Sequence, residues 1–146
     1  MGDQDVLEVA RRIEEAFNAG DWGAYSAFLT NDTVIETPVM QGRGPEDVLK
    51  NARRIKEALP DIRTTITNGL SCGDTAVVEL AVEGTHTGPL GTPRGPIPPT
   101  HRKVAFKTVM LFEISNGKVM ALREYFDRAG LMAQLGIGAG GPAVTA

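Results

Sequence analysis

Apolar residues recur at helical spacing in the first part of the chain and at strand spacing in the later part. In "DQDVLEVARRIEEAFNAG", Val6, Ala10, Ile13 and Phe17 share one stripe of a helix, with charges elsewhere. Asp3 or Asp5 can cap its start, and Gly20 ends it. Asp21 can cap a shorter second helix carrying Trp22, Tyr25, Phe28 and Leu29. "DTVIETPV" reads as a strand that Pro38 stops. Pro45 suits the first turn of a third helix, "PEDVLKNARRIKEAL", which ends before Pro60. "IRTTITNGL" and "DTAVVELAVEGT" then alternate as strands. "KVAFKTVMLFEIS" and "KVMALREYF" flank Asn116-Gly117, a strong hairpin signal because both turn residues tolerate positive φ.

Helices followed by a run of strands predict an α+β domain: a curved antiparallel sheet covered by helices, able to enclose a cavity. A short last helix is expected at "AGLMAQLG". The Pro-rich segment "HTGPLGTPRGPIPPTHR" is a long loop between strands, and loops of that length usually carry function or move. We expect one domain over residues 1–136 and a flexible tail over 137–146.

Composition narrows the classes. The net charge of −3 offers no basic face for nucleic acid. No apolar run is long enough to span a membrane, and the N-terminus lacks the order of a signal peptide. A cytoplasmic location is the resulting expectation. Cys72 is the single cysteine, so no intrachain disulfide forms. Cys72, His86 and His101 lack zinc-ligand spacing, and no dinucleotide fingerprint links a strand to a helix. None of the three serines sits in a nucleophile-elbow word. We therefore expect no metal and no cofactor.

The words "FNAGDWGAYSAFLTNDTVIETP", "GTHTG", "PPTHRKVAF" and "NGKVMALREYFDRAGLMAQLG" resemble the SnoaL-like polyketide cyclase branch of the NTF2-like superfamily. The likeness runs over nearly all of residues 7 to 136. It implies a cone-shaped fold with three N-terminal helices enclosing an apolar pocket. It also implies acid/base chemistry on a small hydrophobic substrate without metal or nucleotide. The superfamily's reactions include ring closure of polyketide esters, ketosteroid isomerisation and epoxide hydrolysis, and it contains non-catalytic binding modules. Homodimers are implied too, with an apolar outer sheet face for which Val78, Leu80, Val109 and Leu111 are the candidates.

Residue by residue, the resemblance places Glu124 at the last-strand carboxylate that serves as acid/base. "L-R-E-Y-F-D" matches the epoxide-hydrolase word at the same place, but that enzyme's Arg and second Asp fall near Glu79 and Ala81. The steroid-isomerase base, helix Tyr and second Asp fall on Thr37, Ile13 and Thr108, so that route is lost. The stretch "FKTVMLF" lacks the His that cyclases of this type carry on the strand before the last.

The residues themselves leave alternatives. Alternation puts Leu122, Glu124 and Phe126 on one face of the last strand, and Arg123 and Tyr125 on the other. Facing a cavity, Glu124 would be desolvated and its pKa raised, which suits proton transfer; facing out, it would pair with a cation. Glu79 either joins Glu124 in the pocket or lies on the outer face. His86 either takes part in catalysis or anchors the Pro-rich loop. Asp127 is read as the cap of the last helix rather than a second acid. Phe17, Leu29, Phe106, Met110, Leu122 and Phe126 are the expected apolar lining, with Thr37 and Thr108 as hydrogen-bonding points. The functional expectation is an enzyme of acid/base type acting on a hydrophobic carbonyl compound or epoxide. A non-catalytic ligand-binding module and an epoxide hydrolase are the alternatives.

Overall fold

The computed structural model describes residues 3–137. In chain order the elements are α1 (Asp3–Ala19), α2 (Trp22–Ser26), β1 (Leu29–Glu36), β2 (Gln41–Arg43), α3 (Gly44–Ala58), β3 (Arg63–Cys72), β4 (Thr75–Thr85), β5 (Lys103–Ser115), β6 (Lys118–Phe126) and α4 (Arg128–Gln134). The strands form one unclosed sheet in the order β2-β1-β6-β5-β4-β3.

Local chemistry sets the punctuation. The Asp21 carboxylate accepts from the Ala24 N–H at 3.0 Å, and Asp127 accepts from the Gly130 N–H at 2.9 Å, so both act as helix caps. Gly20 ends α1 at a φ of 68°. Asn116 and Gly117 both adopt positive φ (51° and 75°) and close the β5–β6 hairpin with Ser115 opposite Lys118. That is the twist-matched two-residue turn.

Three details depart from the sequence reading. Helix α2 stops at Ser26, and Leu29 opens β1 instead, pairing with Val119. The unexpected strand β2 forms because Thr37 folds the chain back: its hydroxyl accepts from the Val39 and Met40 N–H groups, both at 3.1 Å. And β1 pairs β6 in parallel, while the other neighbours are antiparallel.

Helix α1 covers the β3–β4 side of the sheet, and α3 covers the β1–β2 side. Between them the inner sheet face supplies Val78, Leu80, Val82, Phe112 and Leu122, all buried. Val78 and Leu80 therefore do not belong to an outer face. Register explains it: they lie opposite Met110 and Thr108, whereas Val109 and Leu111 lie opposite Glu79 and Val77 on the outside. A register shift between Glu113 and Ile114 leaves Met120 unpaired, upstream of the alternation that matters for Glu124.

The Pro-rich loop is pinned rather than free. The Thr87 and Gly88 N–H groups both donate to the Ala58 carbonyl at the end of α3 (3.2 and 3.1 Å), and Leu90 bridges Ile97. A Cβ at Gly88 would overlap the Glu57 carbonyl oxygen, so only glycine lets the loop lie this close to α3. Ile137, the first residue of the expected tail, is buried; residues 138–146 lie outside the described residues.

Candidate active site

The helices leave a gap on the α3 side. A cavity of about 540 Å³ opens there, within the range that holds small organic ligands. Its apolar walls come from the β1–β2 corner (Val39, Met40), α3 (Ile55, Leu59), the Pro-rich loop (Leu90) and α4 (Leu131). Its polar groups include Glu124 from β6, Asn51 and Arg54 from α3, His86 at the start of the loop and Thr37 after β1, with Lys50, Asp47 and Arg128 as further charged groups.

Strand parity settles where Glu124 points. Glu124 lies opposite Met110, Leu122 opposite Phe112 and Phe126 opposite Thr108, and this set faces inward. Arg123 turns outward into an ion pair with Glu113 at 2.6 Å, and Tyr125 is 56% exposed. The Thr108 hydroxyl lies 3.1 Å from Glu124 Oε2, sharing its hydrogen with the Tyr125 carbonyl at 3.2 Å. Burial raises the Glu124 pKa above the ordinary carboxylate range; the Thr108 hydroxyl and the Arg54 charge pull the other way. Arg54 feels the reciprocal balance, lowered by burial and raised by Glu124. Its guanidinium is spoken for elsewhere, donating to the Gly91 carbonyl at 2.9 Å and to Asn51 Oδ1 at 3.3 Å. Arg54 and Glu124, which both line the cavity, thus interact through charge.

His86 is wholly buried. Its backbone is clamped by the Arg102 carbonyl (2.9 Å) and the His101 N–H (2.8 Å), and its Nδ1 lies 3.0 Å from the Thr100 hydroxyl and 3.2 Å from the Thr100 N–H. The ring anchors the loop, and His86 is among the residues that border the cavity.

Of the expected site residues, Glu124, His86, Thr37 and Phe126 line this cavity. Glu79 does not: it is exposed on the outer sheet face, where Asn68 Nδ2 donates to it at 3.0 Å. Period-two alternation carries it away from Val78 and Leu80. Phe17, Leu29, Met110 and Leu122 are core residues outside the cavity lining, because neighbouring side chains fill the space around them. Phe106 packs on Phe126 with ring centroids 6.0 Å apart, and Thr108 reaches the site only through Glu124. Asn51 and Arg54 escaped the sequence reading. Asn51 carried a signal, as a polar residue one turn beyond Val48 on the buried side of α3.

A six-stranded curved sheet with its helices gathered over one face, enclosing an apolar cavity with a carboxylate on the last strand, defines the NTF2-like class. Residues 7–135 match the SnoaL-like polyketide cyclase family, and the chain belongs to that family. Solved structures of similar fold include a candidate SnoaL-like polyketide cyclase from Jannaschia sp. CCS1, with a TM-score of 0.82 and 19% identity over 92% of this chain and 94% of that one. TsrD from Streptomyces laurentii gives 0.80 and 24% over 93% and 98%. An LEH-like epoxide hydrolase from M. tuberculosis gives 0.70 and 19% over 94% and 93%. No match was found among curated proteins. Among the described residues no helix is long and apolar enough to cross a membrane, and no cluster of three or more His, Cys, Asp or Glu could hold a metal ion.

Proposed function

We propose that this chain is an acid/base enzyme of the polyketide-cyclase type, acting without a cofactor on a hydrophobic carbonyl compound held in the cavity. The observation that carries the reading is Glu124: an inward carboxylate on the last strand, desolvated and with raised pKa, beside an apolar space large enough for a substrate. Ionised, it would take the proton α to a carbonyl; the enolate carbon would attack a second carbonyl of the same molecule; the protonated Glu124 would return its proton to the new alkoxide. A raised pKa narrows the gap between base and carbon acid, and positioned proton transfer contributes about 10²–10⁴-fold in rate. The positive charge of Arg54 across the cavity would offset the negative charge passed between Glu124 and substrate.

The epoxide-hydrolase alternative asks for an Arg–carboxylate pair holding a water. Arg54 is engaged by Gly91 and Asn51 instead, which favours the carbonyl reading. The test is turnover of a panel of β-keto esters and enones by wild type and Glu124→Gln. Loss of turnover in the variant, with its circular dichroism unchanged, supports the assignment. Tight ligand binding with no turnover by either protein would mark a non-catalytic binding module.

A further inference from the structure

Helix α3 turns one stripe towards the cavity: Asp47, Asn51, Arg54, Ile55 and Ala58, spaced as one face of a helix, all border it. Asn51 sits in the middle of that stripe and is only 8% exposed. Its Oδ1 accepts from Arg54 Nη2 at 3.3 Å. A guanidinium can only donate, so the oxygen end of the amide must face Arg54 and the nitrogen end must point away from it. Nδ2 carries two hydrogens and has no hydrogen-bond partner among the described residues. It is not sealed off either, because His86 Nε2 is the one side-chain atom among them that is both fully buried and unpaired. Nδ2 therefore keeps accessible surface, and on a nearly buried residue of the cavity-facing stripe that surface belongs to the cavity.

We propose that Asn51 Nδ2 is the donor that holds a carbonyl oxygen of the ligand, and with it any enolate oxygen that proton loss creates there. Polar groups this buried are nearly always paired, with protein, water or ligand. A water on Nδ2 can be displaced without loss by an oxygen that accepts the same hydrogen, and not by a methylene. The amide therefore selects an acceptor. Across the same cavity, Glu124 has its Oε2 taken by the Thr108 hydroxyl. One apolar space is thus bordered by a carboxylate on the sheet and a neutral donor on the helix. A carbonyl with a neighbouring C–H presents the complement of both. The amide is uncharged and Arg54 sets its direction before any ligand arrives, so little reorganisation is needed as charge grows on the oxygen. The ligand class is an apolar ketone or ester whose carbonyl points at α3. The inference rests on the proposed reading that the cavity binds a carbonyl compound, and not on Glu124 as the base.

The test compares binding of 2-acetylnaphthalene with that of 2-isopropenylnaphthalene, which has a CH₂ group in place of the carbonyl oxygen. Neither can cyclise, so turnover plays no part and a failed acid/base assignment leaves the result readable. Wild type should prefer the ketone, and the infrared carbonyl stretch of the bound ketone should lie below its value in hexane. Asn51→Leu should cut the preference roughly five- to tenfold through the ketone alone, and move the stretch back towards the hexane value. Asn51→Asp keeps an oxygen for Arg54, and beside that cation it stays ionised and can only accept; it should lose the preference as well. No preference in wild type, equal losses for both probes, or a stretch that stays low in both variants would each overturn the inference. Turnover lost in Glu124→Gln beside an absent ketone preference would remove this inference and leave the enzyme reading in place. If Asn51→Leu does not fold, Asn51→Asp and the wild-type stretch decide.

Discussion

Among the described residues, two carboxylates whose pKa burial raises lie between the helices and the sheet, one on the α1 side and one on the α3 side, and their surroundings differ. Glu14 projects from α1 on the β3–β4 side; it is only 6% exposed, and the Thr64 hydroxyl donates to it at 2.9 Å. Glu124 projects from β6 on the α3 side, with Thr108 in the matching role at 3.1 Å. Burial raises both pKa values, that of Glu14 to about 7, with the Glu124 charge adding to it. Beside Glu14, though, Asn18 ties helix to strand: its Nδ2 donates to the Thr64 carbonyl and its Oδ1 accepts the Thr64 N–H, both at 2.9 Å. Beside Glu124 there is a cavity with apolar walls, whereas the space next to Glu14 is an open groove lined mostly by polar residues such as Arg11, Asn18 and Asn68. A perturbed pKa therefore marks burial, and the character of the adjoining space, apolar and recessed or polar and open, separates a group suited to an apolar substrate from one that holds a seam.

The sharpest way to break this comparison is to neutralise each carboxylate in turn. Glu124→Gln should lower turnover by about 10²–10⁴-fold, and Glu14→Gln should leave it near the wild-type value, measured as kcat on the same substrate. Equal losses from both would mean that the two sides work as one site. Stability should reverse the ranking. The folded state holds the Glu14 proton to about pH 7, whereas the unfolded chain releases it near 4.5, as an ordinary glutamate does. The folded state thus binds more protons in that window, and stability falls as pH rises through it. Glu14→Gln should remove up to about 3 kcal/mol of that fall, read from urea unfolding below pH 4.5 and above pH 7. A wild-type curve that stays flat, or a Gln variant with the same slope, would contradict the assignment.

The third test concerns the cavity wall. Gly88→Ala must push the Pro-rich loop off the Glu57 carbonyl. Overpacking of this kind costs about 1–3 kcal/mol, and the displaced wall should raise KM more than it lowers kcat. A variant with unchanged melting temperature and KM would show that the loop is not held as described. The smallest effect is expected from Thr108→Val. Removing a donor to the charged form raises the Glu124 pKa further, so the basic-form limb of the pH–rate profile should move to higher pH by less than about one unit. A shift to lower pH would put the hydrogen bond elsewhere.

Much of this was written along the chain. The caps at Asp21 and Asp127, the hairpin at Asn116-Gly117 and the alternation of Leu122, Glu124 and Phe126 depend on neighbours a few residues away. Local spacing decides them, and sequence displays local spacing directly. Glu14 was nearly legible, sitting one turn beyond Ala10 and one turn before Phe17 on the apolar stripe of α1. Glu79 misled because an apolar strand with one carboxylate looks the same whichever face that carboxylate takes.

What the sequence determined by itself is every element but the short strand β2, the α+β class and the residue types available for chemistry. The tertiary structure decided which inward residues border empty space. Phe17, Leu29 and Met110 are as apolar as Val39, Met40 and Leu131, yet the first three are packed into the core and the second three border the cavity. The difference lies in how two helices and a loop rest on the sheet, and in contacts such as Gly88 against α3 that join residues 31 positions apart. Packing fills or spares a volume through many small, non-directional contacts summed over distant segments, so no short stretch of the chain encodes it.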